Sequence, residues 1–310
     1  MTVYVIDPIS PRALARLAAA TPVVDWRDPA VARWPEEASG LVVRTSSVAA
    51  ADVARAAHLR VIGKHGVGFD NIPVEVARAK GITVVFTPGA NADAVAELTL
   101  GLAIAAARHM VAADRALRAG SHGKPPLPSG RELAGRPVGV VGFGAVGRRV
   151  AALFVRAFGS PVSAYDPVLA PEIIRAAGVA PEPSLDRLLA TSAVVSLHLP
   201  LTPETRHLID ARALALMAPD SILVNTARGG IVDEAALAEA LIAGRPGAAA
   251  CDVFAVEPPP PDHPLLRLPN CIATPHLGAA TEEALDRVGL AVVEQVIDVL
   301  EGRRPAHVVG

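Results

Sequence analysis

Three short segments of this 310-residue chain gather residues able to hold an anion and move a proton. They are 225–230, with Asn225, Thr226, Ala227 and Arg228; 252–258, with Asp252 and Glu257; and 274–278, with Thr274, His276 and Gly278. Reducing the keto group of an anionic substrate needs a cation to hold the carboxylate and polarise the carbonyl, and an acid to protonate the oxygen. Arg228 and His276 are the residue types for those two tasks. Imidazole exchanges its proton close to neutral pH, and a neighbouring carboxylate favours the charged ring. Glu257 would therefore keep His276 protonated for reduction and orient it, and neutral His276 would serve as base in the reverse direction. Taken singly each has an ordinary alternative: Arg228 as a surface ion-pair partner, Glu257 as a loop charge, His276 as a helix-start residue. Their joint position favours the chemical reading, because each segment closes an apolar run of strand type, and open α/β sheets bind ligands at strand ends.

A second constellation lies upstream. The run Val138–Val141 leads directly into Gly142-Phe143-Gly144-Ala145-Val146-Gly147, and a helical pattern follows from Arg148 to Phe158. In that strand-turn-helix setting Gly142 makes the tight turn, Gly144 lets backbone approach a pyrophosphate, and Gly147 lets helix and strand pack closely. The helix N-terminus then receives the phosphates at Ala145 and Val146. Asp166 ends the next strand, where a carboxylate accepts hydrogen bonds from the adenine ribose and repels a 2′-phosphate, which favours NAD over NADP. Glycine spacing, strand, helix and acidic residue together set this apart from a glycine-rich turn.

The elements that must position these residues are legible as alternation. Val3–Ile6, Gly40–Val43, Val61–Gly63 and Thr83–Phe86 read as strands, with helical stretches such as Pro11–Ala20 and Pro73–Lys80 between them. From Val138 the pattern restarts with strands at Val138–Val141, Val162–Tyr165, Ala193–Leu197, Ser221–Asn225, Ala248–Asp252 and Cys271–Thr274. Both halves therefore predict parallel α/β sheets, the second of Rossmann size. A long helical pattern over Glu97–Gly120 and a Pro- and Gly-dense linker over Ser121–Gly130 separate them. A last helix is expected over Thr281–Glu301, with Thr281 as cap and two glutamates in its first turn.

Composition narrows the partner. Hydrophobic residues make up 51% of the chain, yet no uninterrupted apolar stretch approaches the ~20 residues of a membrane span. A formal net charge of -2 with interspersed signs leaves no electrostatic footprint for nucleic acid or an anionic membrane, so the expected partner is a small molecule. Cys251 and Cys271 have no metal-ligand spacing, and no metal is expected. The start, Met1-Thr2-Val3-Tyr4-Val5-Ile6, reads as a first strand rather than a signal peptide, which places the protein in the cytoplasm.

Gly66-Val67-Gly68-Phe69-Asp70-Asn71-Ile72, Val95-Ala96-Glu97, the glycine fingerprint, His198-Leu199-Pro200-Leu201-Thr202 and the three strand-end segments occur in one order along nearly the whole chain. In these motifs the chain resembles the D-isomer-specific 2-hydroxyacid dehydrogenases, the family that includes phosphoglycerate, glycerate and D-lactate dehydrogenases. The resemblance implies two Rossmann-like domains. A flavodoxin-like substrate domain would comprise residues 1–97 and 287–310, and an inserted doubly wound NAD-binding sheet would comprise residues 98–286 and form a homodimer. It implies Arg228, Glu257 and His276 as the catalytic set. Thr226, Ala227, Asp252 and Gly278 would line the cofactor, together with Leu199 and Pro200. The substrate carboxylate would meet the backbone N–H groups of Val67 and Gly68, with Arg44, Ser46, Lys64 and Asn91 as further substrate contacts. Lys64-His65 departs from many relatives. With Gly310 as the last residue, a serine-responsive C-terminal domain is expected to be absent.

The implied activity is NAD-dependent interconversion of a small 2-hydroxy acid and its 2-keto acid. It leans toward 3-phosphoglycerate or glycerate/hydroxypyruvate, because Arg44, Lys64 and His65 could receive a second anionic or polar end. Formate oxidation is disfavoured, since resemblance would put Gln in place of Glu257. A phosphite dehydrogenase-like enzyme and a catalytically idle NAD-sensing protein remain the alternatives, the latter because fold alone never establishes activity.

Overall fold

The computed structural model describes residues 1–121 and 129–309. It divides the chain into two compact units, Met1–Asn91 with Ala279–Gly310, and Ala92–Gly278.

In the first unit, short Val/Ile/Leu runs form β1 (Val3–Val5), β2 (Val23–Asp25), β3 (Gly40–Val43), β4 (Val61–Lys64) and β5 (Thr83–Val85). All pair in parallel in the order β2-β1-β3-β4-β5. The central strands are continuous apolar runs because helices cover both faces. The order reverses between β1 and β3, and such a switch point at the carboxyl ends of strands is where this fold type binds ligands. The last helix, Glu282–Leu300, starts at Thr281, whose hydroxyl accepts the Ala284 N–H. It buries Val292, Val293 and Val296 with Val3, Val5, Val42 and Val61 in one core. Gly63 makes room for it: a Cβ there would stand 2.6 Å from Val296 Cγ2 and 2.9 Å from Val292 Cγ2.

The second unit holds β6 (Val138–Val141), β7 (Val162–Tyr165), β8 (Ala180–Pro181), β9 (Val194–Leu197), β10 (Ile222–Asn225), β11 (Ala248–Cys251) and β12 (Cys271–Ala273). Their order, β12-β11-β10-β9-β6-β7-β8, is all parallel and reverses between β6 and β9, the doubly wound pattern. The helix Ala145–Phe158 sends Val150, Ala151 and Phe154 into the core on one face of this sheet. Leu188, Leu214 and Leu237 fill the core on the other face.

Three expectations need correction. The strands β2 and β8 carry no strong apolar run and were not foreseen; both lie at sheet edges, where one neighbour suffices. The single helix over Glu97–Gly120 is instead two, Ala92–Ala107 and Met110–Arg118, bent by 63°. His109 between them is left-handed at φ 52°, and the Ala107 carbonyl accepts the Arg131 N–H rather than continuing the helix. The unit boundaries fall at Asn91/Ala92 and Gly278/Ala279 instead of 97/98 and 286/287. Val95, Ala96 and Glu97 lie inside a helix that starts at Ala92 and packs in the second unit, while Asp286 lies inside the last helix, which packs on the first sheet. Of the expected linker, residues 122–128 lie outside the described residues. No single helix among the described residues is long and apolar enough to cross a membrane.

Placing Val at Gly63 should lower the unfolding free energy by about 1–3 kcal/mol through overpacking against Val292 and Val296. Urea denaturation would show this as a lower midpoint at unchanged slope; an unchanged midpoint would mean that the last helix yields freely there.

Candidate active site

The strands β10, β11 and β12 are parallel neighbours, so their carboxyl ends open on one edge of the second sheet. Each end is a turn organised by one polar side chain. After β10, Asn225 Oδ1 accepts the Ala227 N–H and the side-chain Nδ2 donates to the Arg228 carbonyl, which fixes the turn that carries Arg228. After β11, the buried Asp252 carboxylate accepts from the Thr274 hydroxyl and from the Leu277 and Gly278 N–H groups, and its carbonyl accepts the His276 N–H. Asp252 thus holds the turn after β12 in place, with His276 left-handed at φ 54°. The first two turns touch through Gly229: a Cβ there would fall 1.9 Å from the Phe254 carbonyl carbon.

These constraints bring the expected catalytic residues together. Glu257 Oε1 accepts the Phe254 N–H at 3.0 Å, and its Oε2 lies 2.8 Å from His276 Nδ1. A carboxylate can only accept, so Nδ1 carries the hydrogen and Nε2 is the ring nitrogen outside this pair. Burial works to raise the Glu257 pKa, but hydrogen bonds from His276 and the Phe254 N–H, with the charges of His276 and Arg228, hold it below the ordinary carboxylate range. The side chains of His276 and Glu257 are 50% and 38% exposed. Arg228 Nη1 donates to the Ala227 carbonyl at 2.7 Å.

The glycine loop fits a dinucleotide. Gly142 is at φ 90°, and a Cβ there would meet the His198 carbonyl oxygen at 2.5 Å; a Cβ on Gly147 would meet the Gly142 carbonyl oxygen at 2.1 Å. Gly144, by contrast, faces open space and caps the helix Ala145–Phe158 without any side-chain hydrogen bond. The first amides of that helix, including those of Ala145 and Val146, therefore face outward without intrahelical acceptors, as pyrophosphate binding requires. Three backbone N–H groups, of Phe143, Val168 and Leu169, fix the Asp166 carboxylate at the end of β7. Leu199 packs on Gly142, and the Pro200 carbonyl accepts the Thr205 hydroxyl. Thr226, expected to line the cofactor, has its buried hydroxyl 2.9 Å from that of Thr99, which itself bonds the Val95 carbonyl. Its hydroxyl and the Asp252 carboxylate thus hold the frame rather than standing open to a ligand.

A family model described as D-isomer specific 2-hydroxyacid dehydrogenase, NAD binding domain, matches residues 100–278. The chain belongs to the D-isomer specific 2-hydroxyacid dehydrogenase family. It is 45% identical over 275 residues to a D-3-phosphoglycerate dehydrogenase of Methanocaldococcus jannaschii, covering 88% of this chain and 52% of that protein. It is 44% identical over 267 residues to a hydroxypyruvate reductase of Thermotoga maritima, covering 85% of each. The solved structure of the TT0316 protein from Thermus thermophilus aligns along the whole of both chains with a TM-score of 0.89 at 37% identity. The chain spans about half the length of the curated phosphoglycerate dehydrogenases it matches first. The matched residues lie within the second unit, which is thus the family's NAD-binding domain.

In the first unit, the substrate candidates sort differently from expectation. Asp7, at the end of β1, accepts the Arg44, Thr45 and Ser46 N–H groups and the Ser46 hydroxyl, so Ser46 is a brace of this loop. Burial works to raise the Asp7 pKa, but these hydrogen bonds outweigh it and leave the carboxyl below the usual range. The buried Lys64 ammonium donates to the Arg44 carbonyl and to Asn71 Oδ1, and Asn71 donates to the Ser46 carbonyl. Lys64 therefore locks two loops together rather than offering an open charge. Arg44 has no side-chain hydrogen bond or ion pair among the described residues, and Val67 is 38% exposed beside Gly68. Asn91 keeps a buried Oδ1 without a hydrogen-bond partner. Asp7 and Asn71 were not foreseen as organisers; an acidic residue at a strand's carboxyl end is the signal that Asp7 carried.

His65, expected to help receive an anion, is 5% exposed, and burial with the charges of Arg44 and Lys64 pushes its pKa down to about 4. It is neutral at pH 7 and cannot serve as a cation. The unfolded chain takes up this proton from pH 6.5 downward while the folded chain resists until about pH 4. Stability should therefore fall across that window by up to about 3 kcal/mol from this residue. Urea denaturation at several pH values should show a flatter decline in His65→Asn; an equal decline would remove His65 from this role.

Proposed function

We propose that this protein is an NAD-dependent D-2-hydroxyacid dehydrogenase interconverting a small 2-hydroxy acid and its 2-keto acid, leaning to 3-phosphoglycerate or glycerate/hydroxypyruvate. The observation that carries this is the 2.8 Å pair of Glu257 Oε2 and His276 Nδ1 on the NAD-binding domain, with the Arg228 charge acting on the same carboxylate. When bound, NAD(H) supplies or accepts the hydride. In reduction His276 gives its Nε2 proton to the oxygen of the keto group, and Glu257 orients the ring through Nδ1. In oxidation neutral His276 takes the hydroxyl proton at the same nitrogen. Arg228 holds the substrate carboxylate and draws charge from the carbonyl.

In the first unit the Val67 and Gly68 N–H groups and the Arg44 guanidinium are suited to the substrate's anionic ends. The engagement of Lys64 and the neutrality of His65 leave Arg44 as the cation to meet a phosphate. The names of the phosphoglycerate dehydrogenase and hydroxypyruvate reductase relatives support both acids. Work in the cytoplasm as a homodimer belongs to the same reading, and sedimentation analysis would test the dimer.

The test is NADH oxidation with a panel of 2-keto acids, with and without a terminal phosphate, repeated with NADPH. Turnover of hydroxypyruvate or its phosphorylated form with NADH is the expected result; NADH binding without turnover of any acid would favour the sensing alternative. His276→Ala should cut turnover by ~10² to 10⁴ while NADH binding, followed by fluorescence, stays intact. Arg44→Ala should raise KM for the phosphorylated acid alone, and an equal KM for both acids would take the phosphate away from Arg44.

A further inference from the structure

The segment that carries Glu257 is long, and one carboxylate holds it at both ends. Between β11 and β12 the chain runs Phe254-Ala255-Val256-Glu257, then four prolines, then Asp262-His263. Four successive prolines donate no backbone hydrogen bonds, so the run cannot tie itself to the sheet by a ladder. Glu234, at the start of the helix Glu234–Ile242, reaches across to it. Its Oε1 accepts the Ala255 N–H at 2.6 Å, and its Oε2 lies 3.0 Å from His263 Nε2. The Glu234 and His263 side chains are only 17% and 13% exposed. The His263 ring packs edge-on against Phe254, centroids 5.4 Å apart, and its Nδ1 is buried without a partner. Phe254 and Ala255 are also the residues on which Gly229 closes. The helix start favours a negative charge at Glu234.

We propose that Glu234 is a positioning residue: it clasps both ends of the Ala255–His263 loop and so holds Glu257 at hydrogen-bonding distance from His276. Glu234 touches neither Glu257 nor His276 in the hydrogen bonds of this structure; it acts through the Ala255 amide and the His263 ring. This rests on the acid-base reading of Glu257 and His276. The fold itself has other supports here, since Leu265 is fully buried beyond His263 and Asp233 caps the helix independently. Loss of the clasp should therefore reach the Glu257–His276 pair before it reaches the core.

The test is a double-mutant cycle on the full chain. Glu234→Ala should lower kcat by about ten-fold, in the range seen for coupled neighbours, with NADH affinity unchanged by fluorescence titration. In a Glu257→Gln background the same change should cost nothing further, because there is no carboxylate left to position. Glu234→Gln, whose amide oxygen still accepts from Ala255, should recover most of the rate. Amide hydrogen exchange should quicken over 254–263 in Glu234→Ala and stay slow over β11. If Glu234→Ala does not accumulate as folded protein, His263→Leu, which opens one end of the clasp, should give a smaller fall with the same coupling. Parental kcat in the clasp variant, losses that multiply independently in the double variant, or unchanged exchange over 254–263 would overturn the clasp. A Glu257→Gln variant that turns over at the parental rate would instead overturn the acid-base reading, and the clasp with it.

Discussion

Everything in the candidate site depends on how closely two backbones approach one another. Gly229 lies so near Phe254 that no side chain fits between the turn after β10 and the turn after β11. Parallel pairing brings the carboxyl ends of neighbouring strands to one edge, but adjacent strands alone leave ~4.8 Å between chains. The glycine closes the distance past the ends of the strands, where hydrogen-bond ladders no longer enforce it. Arg228 is the residue before that contact and Glu257 lies three residues beyond it, so the charge of one acts on the carboxylate of the other. The third turn is brought in by Asp252, which accepts three hydrogen bonds from the segment that contains His276.

Aspartate at the carboxyl end of a strand recurs in both units. Asp7 gathers the amides of residues 44–46, Asp166 those of Phe143, Val168 and Leu169, and Asp252 those of Leu277 and Gly278. A charged acceptor contributes ~1.5–3 kcal/mol per hydrogen bond, against about 1 for a neutral one. One short carboxylate can thus fix a turn that has no ladder and little apolar surface. These turns are where ligands bind in open α/β sheets, so the rigidity falls where a fixed geometry is useful.

This division of labour decides what was legible in the sequence. The glycine fingerprint and the buried strands could be read because their signals are local: a spacing, a run of Val and Ile, a helix following at once. Arg228, Glu257 and His276 could be read because each ends such a run, and the resemblance joined them. The edge strands Val23–Asp25 and Ala180–Pro181 could not, since three and two residues with one pairing partner need little apolar character. Nor could the fate of Ser46, whose partner Asp7 stands 39 residues upstream, or of Lys64, held by a carbonyl 20 residues away. Long-range hydrogen bonds leave no periodic trace. Glu234 lies in the same class, since its partners are 21 and 29 residues away.

The backbone at His276 shows which constraint the fold treats as costly. A non-glycine residue in the left-handed region costs on the order of 1 kcal/mol or more and persists only where neighbours over-determine it. Here Asp252 does so from both sides, accepting the N–H of His276 through its carbonyl and those of Leu277 and Gly278 through its carboxylate. An ion pair as exposed as His276 with Glu257 contributes little to stability. Stability therefore does not account for the strain, because the pair it creates returns too little of it. What the strained turn does secure is direction: Nδ1 fixed on Glu257, which leaves Nε2 as the ring nitrogen not engaged by that carboxylate.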